Sequence, residues 1–110
     1  MDKTNTEMVR EVLINHVGRE NAITSTEIGE KADIPNGNGN SNVRSSVREL
    51  AMDVEEPPIA ACNDGYFVVG SYDELVEYTA GLEERREKLE KRKRNTQHSF
   101  FNQFIRDRSH

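Results

Sequence analysis

Arg44 and Arg48 stand one helical turn apart in a chain of 110 residues, in a stretch whose spacing turns both guanidinium groups away from its apolar side and towards whatever the protein grips. Just before them runs Asn36-Gly37-Asn38-Gly39-Asn40-Ser41-Asn42, seven residues with no apolar side chain and two Asn-Gly steps, each a strong turn former. This segment has two readings: a solvated linker, or a loop whose Asn40, Ser41 and Asn42 cap the following helix and reach phosphate or base edges, since helix amino termini favour anions. The one basic run, Lys91-Arg92-Lys93-Arg94, also has two: a charged helix end favoured by the helix dipole, or a phosphate contact. Catalytic chemistry is not expected. The chain has no nucleophile beside a base motif and no nucleotide-binding loop, and Gly37 and Gly39 lack the preceding strand and following lysine of a phosphate cradle. Cys62 is the only cysteine, and His16, His98 and His110 are far apart with no acidic cluster at ligand spacing. No metal, cofactor or small-molecule substrate is expected.

The arginines are positioned by a helix. Val43, Val47, Leu50 and Val54 fall within about 60° on a helical wheel and form a core face. Ser41, Arg44, Ser45 and Arg48 lie on the outward side, with Ser46, Glu49 and Asp53 on the remaining flank. Glu55-Glu56-Pro57-Pro58 stops this helix, because proline lacks an amide hydrogen and disfavours a helical residue before it. Two apolar runs of strand length follow, Ile59 to Cys62 and Gly65 to Val69, joined through Asn63-Asp64-Gly65, where Asp-Gly supplies the positive dihedrals of a tight hairpin.

Upstream, Thr4-Asn5-Thr6-Glu7 and Thr24-Ser25-Thr26-Glu27 match the S/T-x-x-E capping box. The first opens a helix with Val9, Leu13 and Val17 in the core, ended by Gly18. The second opens a helix through Ile28, Ala32 and Ile34, ended by Pro35. Ala22-Ile23 is a candidate short strand that pairs with the hairpin. A third box, Ser71-Tyr72-Asp73-Glu74, starts a helix reaching about Arg94, longer than a domain of this size is wide, so that part of it must project. Leu75, Leu82 and Leu89 repeat every seven residues, but their partner positions are half polar, which makes a marginal coiled coil. Glu84 with Lys88, Glu87 with Lys91 and Glu90 with Arg94 have i,i+4 ion-pair spacing. Phe100, Phe101, Phe104 and Ile105 then form an apolar stripe that should dock on the body, on a second subunit or on a partner protein.

The net charge is −5, unevenly spread: residues 1–70 carry 6 Lys and Arg against 12 Asp and Glu, whereas the last twenty residues are +5. An acidic body argues against loose, phosphate-driven nucleic-acid binding but leaves room for a local basic edge. With no apolar run near the length of a span and no charged-then-apolar start, neither a membrane segment nor a signal peptide is expected, and the expected location is cytoplasmic, nucleoid-associated if the chain binds DNA.

With three helices and the hairpin in place, residues 6–70 resemble winged-helix DNA-binding domains, particularly the biotin-repressor amino-terminal type and small phage-type and prophage-type regulators. In the latter a segment like Pro58 to Val69 precedes one like Ser71-Tyr72-Asp73-Glu74-Leu75 and a long charged helix. The resemblance implies an α+β, mostly α fold: a winged helix-turn-helix at 1–70, with a charged helix and aromatic tail at 71–110 serving dimerisation or docking. It further implies that the third helix enters the major groove of double-stranded DNA, with Asn42, Arg44, Ser45 and Arg48 reading base edges or phosphate and Asn63 making a wing contact. This sequence departs from the pattern in its long Asn/Gly loop and in Asp64 at the hairpin tip. The expectation is a homodimeric, sequence-specific regulator of transcription or replication, joined through Leu75, Leu82, Leu89 and the Phe100, Phe101, Phe104 and Ile105 stripe. The alternative is a winged helix that binds a protein instead of DNA.

Overall fold

In the computed structural model, which describes residues 3–35 and 39–105, three helices begin where a hydroxyl side chain receives an otherwise unpaired backbone amide. Thr4 Oγ1 accepts the Glu7 amide at 3.1 Å and opens α1, Asn5–Leu13. Thr24 Oγ1 accepts the Glu27 amide at 3.2 Å and opens α2, Ser25–Ala32. Ser71 Oγ accepts the Glu74 amide at 3.2 Å ahead of α4, Tyr72–Phe100. Between these lie α3, Ser41–Ala51, and an antiparallel hairpin of β1, Ile59–Cys62, and β2, Gly65–Val68. The chain is therefore mostly helical with one small two-stranded sheet.

One core joins these pieces. Val9 and Leu13 of α1, Ile28 of α2 and Val43, Val47 and Leu50 of α3 meet Ile23 and Ile34, with Ala60, Phe67 and Val68 of the hairpin also buried. Ile23 makes the expected short pairing with the hairpin: its amide reaches the Tyr66 carbonyl and its carbonyl receives the Tyr66 amide, both at 2.8 Å. That approach requires glycine next door. Gly65 has φ +125, and a Cβ there would lie 2.2 Å from the Ile23 carbonyl oxygen. Of Asn63, Asp64 and Gly65 only Gly65 takes a positive φ, so Asp64 sits in the two-residue turn without the positive dihedral that the Asp-Gly signal suggests.

Four expectations of extent are corrected. Helix α1 stops at Leu13, so Val17 leaves the helical face, stands 47% exposed and bridges Val68 instead. Helix α2 stops before Pro35, because Asp33 turns left-handed at φ 57 and the Ile34 amide returns to the Gly29 carbonyl at 2.9 Å, a closure that delivers Ile34 to the core. Helix α3 stops at Ala51, well before the two prolines; the Asp53 carboxylate then accepts the Glu55 amide at 2.9 Å, and Val54 is 96% exposed rather than buried. Helix α4 runs past Arg94 to Phe100 and continues as a π-helical segment, Phe101–Ile105. Residues 36–38 of the Asn/Gly loop and residues 106–110 lie outside the described residues.

The chain divides into two units, Met1–Val76 and Glu77–His110, so the first turn of α4 belongs with the helices and hairpin. Glu74 fixes it there. Its carboxylate accepts the Arg19 amide at 2.7 Å and the Gly70 amide at 2.8 Å. These amides, Arg19 first, hold the Glu74 carboxyl below its ordinary range. Among the described residues no helix is long and apolar enough to cross a membrane.

Candidate nucleic-acid interface

The buried side of α3 comprises Val43, Ser46, Val47 and Leu50. Ser46 was expected on the acidic flank, but it is adjacent to the core sector and small enough to be enclosed with it. The outward side carries Arg44, Ser45 and Arg48, all exposed, with Ser41 half-buried, while the exposed Asn42 lies on the flank of Glu49. Arg44 and Arg48 make no ion pair among the described residues. With Val47 and Tyr66 they line a shallow groove between α3 and β2.

Two acids near this surface, Glu49 and Glu56, are bonded to α1. Glu49, on the other flank of α3, accepts a hydrogen bond from Thr6 Oγ1 of α1 at 2.8 Å. Glu56 takes the Arg10 guanidinium at 2.5 Å. Packing α3 against α1 thus ties Glu49 to the α1 side while Arg44 and Arg48 line the groove beside β2, a separation that makes that groove more cationic than the net charge implies.

Asn40 is corrected as a reader. It sits at φ 63, makes no side-chain cap and is only 9% exposed. Its Nδ2 donates to Thr26 Oγ1 of α2 at 2.9 Å. Asn40 therefore sets where α3 starts relative to α2 and does not reach outward. Asn63 and Asp64 at the hairpin tip are exposed. Tyr66, which sequence reasoning treated only as part of a strand, is shared by the groove beside Arg44 and Arg48 and by a second one formed with Thr24, Ser25, Ala61, Cys62, Asn63 and Gly65. Its position opposite Ala61, a small neighbour that leaves its ring room, is the signal that could have marked it.

No protein-family model matches this chain, and no curated protein or solved structure matches it.

In the second unit, Lys91, Arg92, Lys93 and Arg94 are all exposed on α4. Lys91 and Arg92 share a shallow helical groove with Lys88, Asn95, Thr96 and Ser99. Of the three expected ion pairs, Glu84 with Lys88 closes at 3.2 Å. Arg86 instead pairs with Glu83 at 2.6 Å, which raises the arginine and lowers the glutamate relative to their ordinary pKa values, while Glu87 and Glu90 also act on Arg86 through charge. Leu75, Leu82, Leu89, Phe100, Phe101, Phe104 and Ile105 remain substantially exposed, and the Phe100 and Phe104 rings stack with centroids 5.1 Å apart. His16 Nδ1 lies 2.8 Å from the Asn21 carbonyl, so that nitrogen bears the proton and the ring holds a loop. Among the described residues no group of three His, Cys, Asp or Glu could hold a metal ion.

Proposed function

We propose that the chain is a winged helix-turn-helix regulator that binds double-stranded DNA, with α3 in the major groove and the hairpin as the wing. One observation carries this reading: Arg44 and Arg48 are exposed on the outer side of α3, beside the hairpin, with no ion pair among the described residues, while Glu49 and Glu56 are engaged by α1. In this reading Arg44 and Arg48 make the base-edge or phosphate contacts, Asn42 and Ser45 supplement them, and Asn63 touches the backbone or minor groove. Lys91 to Arg94 add phosphate contacts that carry no sequence information. Asn40 positions the recognition helix from behind.

The test is selection from a random duplex library at two salt concentrations, followed by titration of the enriched site. Arg44→Ala and Arg48→Ala should each weaken binding by about 1–3 kcal/mol if each arginine holds a base edge, with an unchanged helical circular-dichroism spectrum. No enriched motif, or unaltered affinity in the double variant, would refute the assignment. A second reading rests on the stacked, half-exposed Phe100 and Phe104: a winged helix that contacts a protein through its aromatic end. It predicts that Phe100→Ala with Phe104→Ala, and not the arginine variants, abolishes function.

A further inference from the structure

The charge on α4 is sorted along its length. From Tyr72 to Glu84 there are five acids, Asp73, Glu74, Glu77, Glu83 and Glu84, and no base; from Arg85 to Phe100 there are seven bases against Glu87 and Glu90, so the halves carry −5 and +5. A helix dipole favours that order of signs, but its influence falls off within the first and last turn. Here the segregation runs through all 29 residues, so the dipole accounts for the ends and not for the middle. The same helix bears an apolar stripe: Leu75, Leu82, Leu89 and Phe100 fall within about 40° at 100° per residue. None of α4 is buried, and Leu82, Leu89 and Phe100 stand 41%, 61% and 57% exposed.

We infer that α4 pairs with α4 of a second copy of this chain in antiparallel orientation, crossing near Arg85 and Arg86. Packed helices lie about 8–10 Å apart, close enough for each half to feel the charge of the half beside it. A parallel pair would set the acidic halves against each other and the basic halves likewise. The antiparallel pair sets −5 against +5 twice. A crossing between Arg85 and Arg86 also makes Leu82 the neighbour of the partner subunit's Leu89, and Leu89 that of the partner subunit's Leu82. Phe100 then approaches the exposed ring of the partner subunit's Tyr72. The like charges at the crossing are offset within each helix, where Glu83 holds Arg86. This pairing concerns α4 alone and stands whether or not the chain binds DNA.

The orientation can be measured in the full chain without DNA. With Cys62→Ser removing the native thiol, Thr96→Cys, beside the apolar stripe, carries a nitroxide label, and pulsed electron paramagnetic resonance reads the distance between labels. In the antiparallel register Thr96 neighbours the partner subunit's Leu75, so the labels should lie roughly 30 Å apart at 1.5 Å rise per residue. Leu82→Asp with Leu89→Asp should abolish that coupling and halve the mass by light scattering while helicity is retained. A distance below about 15 Å would mean parallel helices, and a monomeric mass of the unsubstituted chain at high micromolar concentration would mean no pair; either overturns the inference. Cys62→Ala serves as the background if Cys62→Ser loosens the hairpin.

Discussion

In α3 the apolar residues Val43, Val47 and Leu50 are buried, whereas in α4 the comparably spaced Leu82 and Leu89 remain 41% and 61% exposed. The basic residues of the two helices are reversed in the same sense. Arg44 and Arg48 on α3 have no ion pair among the described residues, but on α4 Arg86 is held by Glu83 and Lys88 by Glu84. Periodicity thus identifies an apolar face without saying what covers it. The α3 stripe is covered because α1, α2 and β1 all pack against that helix; its polar side is left for something outside the chain. On α4 the priorities exchange: local ion pairs engage Glu83, Glu84, Arg86 and Lys88, and Leu82 and Leu89 are left exposed.

The sharpest way to break this contrast is to truncate both stripes. Leu50→Ala should lower unfolding free energy by about 2–5 kcal/mol, since a buried leucine leaves a cavity. Leu89→Ala, measured in urea where the chain is monomeric, should stay within about 0.5 kcal/mol of the parent. Equal losses would mean that the α4 stripe is covered within the chain. A smaller effect separates the hydroxyls. Thr24→Ala removes the cap of α2 and should cost about 1 kcal/mol, while Thr96→Ala, whose hydroxyl only returns to the Arg92 carbonyl, should fall within about 0.5 kcal/mol of zero.

The smallest expected effect is within the first unit, where Glu74 ties the first turn of α4 to Arg19 and Gly70. Its folded pKa is depressed by the amides it accepts, so its contribution is present above the ordinary glutamate value and is lost as pH falls through the depressed folded value. Glu74→Gln should flatten the stability profile of the first unit in that acid range and leave its slope near neutrality unchanged. An unchanged acid limb in thermal melts would show that the carboxylate is not what secures that turn.

Helix starts were the most legible features in the sequence, because a capping box is a local arrangement that needs no tertiary partner: Thr4, Thr24 and Ser71 all receive the amide three residues on. The hairpin was legible for a similar reason, with its register set across the Asn63-Asp64-Gly65 turn. Helix ends were not. Val17 and Val54 continue an apolar rhythm that the backbone has already abandoned, and a wheel drawn through them cannot register the break. Asp33 closed α2 in a conformation usually left to glycine or asparagine, so Pro35 drew attention two residues too late. In the candidate interface the outward face of α3 was readable from spacing, but the inward turn of Asn40 was not, since its partner Thr26 is supplied by another helix. The hydrogen bond from Thr6 to Glu49 and the ion pair of Arg10 with Glu56 likewise join residues more than forty positions apart.

The hairpin has one further consequence, for solubility. Strand β2 is engaged on both margins, by β1 on one and by the segment from His16 to Ile23 on the other, where Gly18 donates to the Val68 carbonyl and Val68 to the His16 carbonyl, each at 2.8 Å. That leaves β1 with the only open margin of the sheet among the described residues. It is four residues long and follows directly on Pro57 and Pro58. So short and proline-guarded a margin offers little template for strand addition. Concentrated solutions of this protein should therefore resist fibril growth even though its ribbon is built from apolar residues.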